Sequence, residues 1–102
     1  MDETLPQTTP DELADDAVIL DVRAQAQWAE GHAPGAVHIP LDQLVARLID
    51  LPVTEGPLPV TCGGGSKAKK ATTLLREHGI DAVELAGGMR GWKAAGRPLV
   101  QD

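Results

Sequence analysis

The sequence predicts an α/β fold: a parallel sheet covered by helices on both faces. Short apolar runs rich in β-branched residues, at 17–20, 36–39, 58–61 and 82–85, alternate with segments of helical period along the whole chain. The length of 102 residues suits a single domain over 1–102, and 42% hydrophobic residues is enough for a core. With no Phe or Tyr present, Val, Leu, Ile and Ala must fill that core.

The elements follow in order. Thr9-Pro10-Asp11-Glu12 reads as a helix start: Thr9 caps, Pro10 suits the first helical position, and Glu12 completes a capping box. A short helix to about Ala14 is expected there. Ala17-Val18-Ile19-Leu20 reads as a buried strand, and residues 24–30 as a short helix stopped by Gly31. Ala33-Pro34-Gly35 turns the chain into a strand over 36–39, which Pro40 ends. Leu41, Leu44, Val45 and Leu48 share one helical face, with Asp42 in the favourable first turn. A proline-rich loop leads to the strand at 58–61. Ala68, Ala71, Thr72 and Leu75 then repeat at helical spacing, and Gly79 suits the stop. After the strand at 82–85, Gly87-Gly88 turns into a last short helix over about 89–95, closed by Gly96 and Pro98.

The formal charge of −6 argues against nucleic acid or an anionic membrane as a general partner. Against that background the basic group Lys67, Lys69 and Lys70 stands out. A single cysteine, Cys62, leaves no internal disulfide and no CxxC pair, and fits a reducing compartment. Asp2 and Glu3, without an apolar run, do not make a signal peptide, and no stretch approaches the ~20 apolar residues that span a bilayer. The expectation is a soluble, cytoplasmic protein.

Cys62 is where these observations converge. The segment Val60-Thr61-Cys62-Gly63-Gly64-Gly65-Ser66-Lys67 runs from a strand end to a helix start. In parallel sheets that is where reactive groups gather. Three glycines let the backbone curl so that successive N–H groups point inward, and the helix adds its positive end. Both features favour the thiolate, the nucleophilic form of cysteine. The loop is not a phosphate-binding Walker loop, because the GxxxxGK[ST] spacing is absent.

Four segments of the chain resemble the rhodanese family. Asp21-Val22-Arg23 resembles its DxR segment. The stretch from Trp28 through Gly31-His32-Ala33-Pro34-Gly35-Ala36 to Pro40 resembles its aromatic, His and GA signature. Cys62 to Lys67 resembles its six-residue active-site loop, and Gly87-Gly88-Met89-Arg90-Gly91-Trp92 its C-terminal GG-x-x-x-W. The resemblance implies a rhodanese-like fold, a five-stranded mostly parallel sheet flanked by helices. It implies a sulfurtransferase in which Cys62 accepts sulfane sulfur as a persulfide and passes it to a thiol or cyanide. The donor would be thiosulfate or another small anionic persulfide source, held by Gly63, Gly64, Gly65, Ser66 and Lys67. No metal or organic cofactor is implied. Family loops often carry Arg at the position of Ser66 or Lys67, whereas here Lys67 is the only basic residue in the loop.

Other residues read as supports. Asp21 and Arg23 are expected to pair behind the loop, since a buried charge needs a partner. His32 is expected to hydrogen-bond the turn at Pro34-Gly35, His38 to be an ordinary half-buried histidine, and Trp28 and Trp92 to pack in the core. Arg90 either borders the pocket or lies on the surface. The three histidines show no metal spacing. Two other functions compete. The first is a cysteine phosphatase or arsenate reductase of related fold; such a phosphatase needs Arg six positions after the cysteine to grip phosphoryl oxygens, and that position is Ala68. A persulfide carrier or sensor that delivers sulfur to one protein partner needs the same loop as an enzyme.

Overall fold

The computed structural model describes residues 5–101. Each apolar run becomes a strand close to its expected place, β2 at Ile19–Asp21, β3 at Ala36–His38, β4 at Leu58–Thr61 and β5 at Ala82–Leu85, and a further short strand, β1, is Gln7–Thr8. Three α-helices accompany them, α1 (Gln25–Glu30), α2 (Ser66–Glu77) and α3 (Gly88–Ala94). The sheet order is β1-β5-β4-β2-β3, and all four pairings are parallel. The one antiparallel contact outside the strands is the bridge between His32 and Val100.

Side chains alternate across the strands, so the sheet buries two separate clusters. On one side Leu20, Val60 and Ala82 pack with Ala68, Ala71 and Leu75 of α2 and with Leu44. On the other, Ile19 and Leu85 pack with Met89 and Trp92 of α3. Helical cover on both faces is therefore present as expected. The buried positions of α2 are Ala68, Ala71, Thr72 and Leu75, the set picked out by its period.

Three local expectations are corrected. The capping box at Thr9 and Glu12 forms, but it opens a single 3₁₀ turn, Pro10–Glu12, rather than a helix to Ala14. The segment after Pro40 is not one amphipathic helix but two 3₁₀ turns, Leu41–Gln43 and Val45–Asp50, with Arg47 off helical geometry at φ −118° and ψ 28°. The tighter winding turns Val45 outward, to 53% exposure, while Leu44 stays fully buried. Finally, β1 is absent from the residue-by-residue reading. It is two residues long and holds to β5 at the sheet edge.

The topology fixes where a ligand would sit. The chain moves outward from β2 to β3 on one side and from β4 to β5 on the other, so strand order reverses between β2 and β4. Ligands bind at the carboxyl ends of the strands beside such a reversal. Here those ends are Asp21 and Thr61, which face each other in register. The backbone N–H of Val22 donates to the Thr61 carbonyl just beyond them, at 3.0 Å.

Candidate active site

Cys62 is the first residue after β4, and its side chain is 2% exposed. Its Sγ accepts the N–H of Gly65 at 3.0 Å and that of Ala68 at 3.2 Å. Gly65 makes the first contact possible. Its φ of +120° lies in a region that side chains avoid, and it brings the chain back over the sulfur at the start of α2. Ala68 was excluded from the expected loop, yet its amide is a direct partner of the sulfur. It is the third helical residue, and its N–H is among those that a helix leaves without an internal acceptor. The N–H groups of Gly63, Gly64, Ser66 and Lys67 find no acceptor among the described residues.

The opposite side of the loop is held by α3. The N–H of Met89 donates to the Cys62 carbonyl at 2.7 Å and that of Arg90 to the Gly63 carbonyl at 3.2 Å. With these carbonyls engaged away from the pocket, the loop can offer its amides to it. The approach requires Gly88: a Cβ there would lie 2.5 Å from the Cys62 oxygen and 2.7 Å from the Gly63 oxygen. The glycine pair ahead of α3 is thus part of the scaffold of the cysteine loop, a role the sequence reading did not assign to it.

The thiol opens into a small pocket of about 180 Å³, walled by Gln27 of α1, by Gly63, Gly64, Ser66 and Lys67, and by Arg90 of α3. Lys67 also borders a larger recess of about 400 Å³, whose floor includes Val22, Leu41 and Leu74. A recess of about 440 Å³ near Leu48, Pro52 and Ile80 shares no wall residue with the thiol pocket. Size therefore does not identify the site, and the chemistry does. Arg90 lines the thiol pocket and is also exposed, so it both borders the pocket and lies at the surface.

The supporting residues fall behind this pocket. Arg23 grips Asp21 through two side-chain nitrogens, the shortest contact being 2.7 Å from Nη2 to Oδ2. The same Nη2 donates to the Gly31 carbonyl at 2.8 Å, which ties the end of β2 to the end of α1. His32 is not among the residues that line the pocket, and its Nδ1 lies 3.2 Å from the oxygen of Ala33, at the start of the turn that leads to β3. Its ring stacks on Trp28 at 3.5 Å. Trp28 is only half-buried and stacks on His38 as well, at 4.7 Å, so its place is in an aromatic stack rather than in the core. His38 Nε2 donates to the Arg23 carbonyl at 2.8 Å, so it anchors the segment that follows β2. Trp92 is fully buried, as expected. Among the described residues no group of His, Cys, Asp and Glu side chains could hold a metal ion, and no helix is long and apolar enough to cross a membrane.

A family model described as the rhodanese-like domain matches residues 6–95. The chain belongs to the rhodanese-like family. It is 29% identical over 98 residues to the thiosulfate sulfurtransferase GlpE of Haemophilus influenzae, covering 95% of this chain and 92% of that protein. It is 32% identical over 88 residues to an HTH-type transcriptional regulator of Mycobacterium tuberculosis, covering 84% of this chain but only 38% of the regulator. Rhodanese-like domains thus stand both as near-whole proteins and as parts of larger ones. Among solved structures, a thiosulfate sulfurtransferase from Pseudomonas aeruginosa superposes with a TM-score of 0.84 at 31% identity, over 96% of this chain and 20% of that one.

Proposed function

We propose that the protein is a sulfurtransferase that carries sulfane sulfur as a persulfide on Cys62. The observation that supports this most directly is the setting of Sγ. It receives two backbone N–H groups, and four further loop amides without acceptors belong to residues that line the same pocket. Donors fixed by the fold stabilise an anionic sulfur without having to reorganise during reaction.

The chemistry has two displacements. The Cys62 thiolate attacks the outer sulfur of thiosulfate. A bond forms from Sγ to that sulfur, the donor S–S bond breaks, and its electron pair leaves on sulfite. The terminal sulfur now carries the negative charge one bond further into the pocket, where the amides of Gly63, Gly64, Ser66 and Lys67 can receive it. In the second step cyanide or a thiolate attacks the terminal sulfur, and Cys62 leaves as thiolate. Thiocyanate or a new persulfide is released and the starting enzyme is regenerated. No proton transfer is needed in either displacement, which agrees with His32 lying away from the pocket.

The test is mass spectrometry. Protein treated with thiosulfate and desalted should gain one sulfur atom on the Cys62 peptide, and cyanide should remove it. The Cys62→Ser variant should fold normally and gain nothing, because a neutral hydroxyl is a poor nucleophile toward sulfur. Absence of the adduct while donor is consumed would refute the covalent route. A loaded sulfur that neither cyanide nor small thiols can remove would replace free turnover with delivery to a dedicated protein partner.

A further inference from the structure

Five arginines occur in the chain, and four of them are matched by carboxylates: Arg23 by Asp21, Arg47 by Asp50, Arg76 by Asp81 and Arg97 by Asp15. Arg90 has no carboxylate or other side-chain partner among the described residues. In a chain with 15 acids, nine bases and a net charge of −6, a guanidinium left unmatched is an exception. Its place makes the exception informative. Arg90 stands in the wall of the thiol pocket together with Lys67, and none of the residues lining that pocket is acidic. A small pocket of positive charge is therefore set into an acidic molecule.

The backbone of Arg90 is held from behind, and its exposed side chain extends along the pocket wall. The Arg90 backbone is tied to the Gly63 carbonyl, so α3 carries the side chain with the loop. A Cβ at Gly64 would come within 3.8 Å of Arg90 Nη1. The bare glycine leaves the face of the guanidinium clear. Lys67, which is also exposed and lines the same pocket, presents a single ammonium point charge. Only the planar fork of Arg90 can match two oxygens of one oxoanion at once.

We infer that Arg90 is the residue that selects an oxoanionic sulfur donor, holding the sulfonate oxygens of thiosulfate while Cys62 attacks the outer sulfur. This rests on the persulfide reading above. During that step the leaving fragment becomes sulfite, so negative charge grows on the oxygens that the guanidinium contacts. Arg90 accordingly contributes both to donor binding and to departure of the leaving group. An inorganic polysulfide donates the same sulfane atom but has no sulfonate oxygens for the fork to grip, so its transfer should depend much less on this residue.

The experiment compares Arg90→Met, Arg90→Lys and, as a charge control elsewhere on α3, Lys93→Met. Single-turnover loading of Cys62 is measured by mass spectrometry with thiosulfate and with inorganic polysulfide. Arg90→Met should lower the ratio of thiosulfate to polysulfide loading by about tenfold, the scale of one charge-assisted contact in a solvent-open pocket. Arg90→Lys should recover only part of it, and Lys93→Met should leave the ratio as in the parent. Binding is read separately in a Cys62→Ser background, where thiosulfate should shift the Arg90 Nε–H resonance and saturate. An unchanged loading ratio in Arg90→Met, or no shift at Arg90, would overturn the inference while leaving the persulfide reading intact. Thiosulfate that shifts Arg90 in a parent protein that loads sulfur from neither donor would refute the persulfide reading instead.

Discussion

Replacing Gly88 by alanine should damage the cysteine loop from a distance, and the size of the effect can be worked from the geometry. Gly88 has φ +57°, a left-handed conformation that costs an L side chain roughly 1–2 kcal/mol. The new Cβ would also lie 2.5 and 2.7 Å from the Cys62 and Gly63 carbonyl oxygens, which are backbone and cannot swing aside. Relieving that overlap must stretch the Met89 and Arg90 hydrogen bonds to those oxygens, each worth about 1 kcal/mol. The total is about 3–4 kcal/mol. At roughly 4–8 °C per kcal/mol for a domain of this size, Tm should fall by about 12–30 °C. Gly96→Ala is the matched control: φ is +73° but nothing lies within 4 Å of its Cβ, so only the conformational cost of about 1–2 kcal/mol applies. Thermal melts give the stabilities, and thiosulfate loading below both melting points gives the activity. Gly88→Ala should load at least about tenfold more slowly, since small misplacements of reacting groups have large effects on rate. Gly96→Ala should load at the parent rate. If the two variants melted within about 3 °C of one another and loaded equally, the argument that α3 shapes the loop would be wrong.

Further outcomes can be stated from the same structure. Lys67→Ala should raise the thiosulfate KM with little change in Tm, and the difference should shrink at high salt because Lys67 is exposed. Arg23→Met leaves the fully buried Asp21 without its partner and should destabilise by about 3–5 kcal/mol in chemical denaturation. Gly65→Ala, at φ +120°, should slow loading more than it lowers Tm, because the residue's N–H is one of two on Sγ. An aryl phosphate should not be hydrolysed above background, since position 68 offers an amide to the sulfur but no guanidinium to a phosphoryl group.

What could be foreseen depended on how local its cause was. The place of Cys62 between a strand end and a helix start was legible because a β-branched run, three glycines and a helix start follow one another directly in the chain. The buried face of α2 was legible because its period is regular over twelve residues. Val45 was misplaced because apolar spacing cannot distinguish an α-helix from two 3₁₀ segments, the second of them interrupted at Arg47. The strand β1 was missed because neither Gln7 nor Thr8 is apolar and its hydrogen bonds run to β5, far along the sequence. Trp28 looked like core because its partners are two histidines, one a helical turn away and the other ten residues on. Arg90 and the Ala68 amide reach the sulfur's surroundings through the packing of α3 and the first turn of α2. For Arg90 the available signal was its position two residues after Gly88.

The bonds from α3 to the cysteine loop also bear on how the protein is made. The carbonyls of Cys62 and Gly63 are held by Met89 and Arg90, residues that leave the ribosome well after the cysteine does. With synthesis running at roughly 5–20 residues per second, the thiol spends its first moments on an unfinished chain. During that interval it has neither the α3 amides behind it nor the completed wall of its pocket. A nascent or truncated chain without α3 therefore lacks the two amides that hold the Cys62 and Gly63 carbonyls. Those carbonyl partners and the Arg90 wall of the pocket are in place only once α3 has docked.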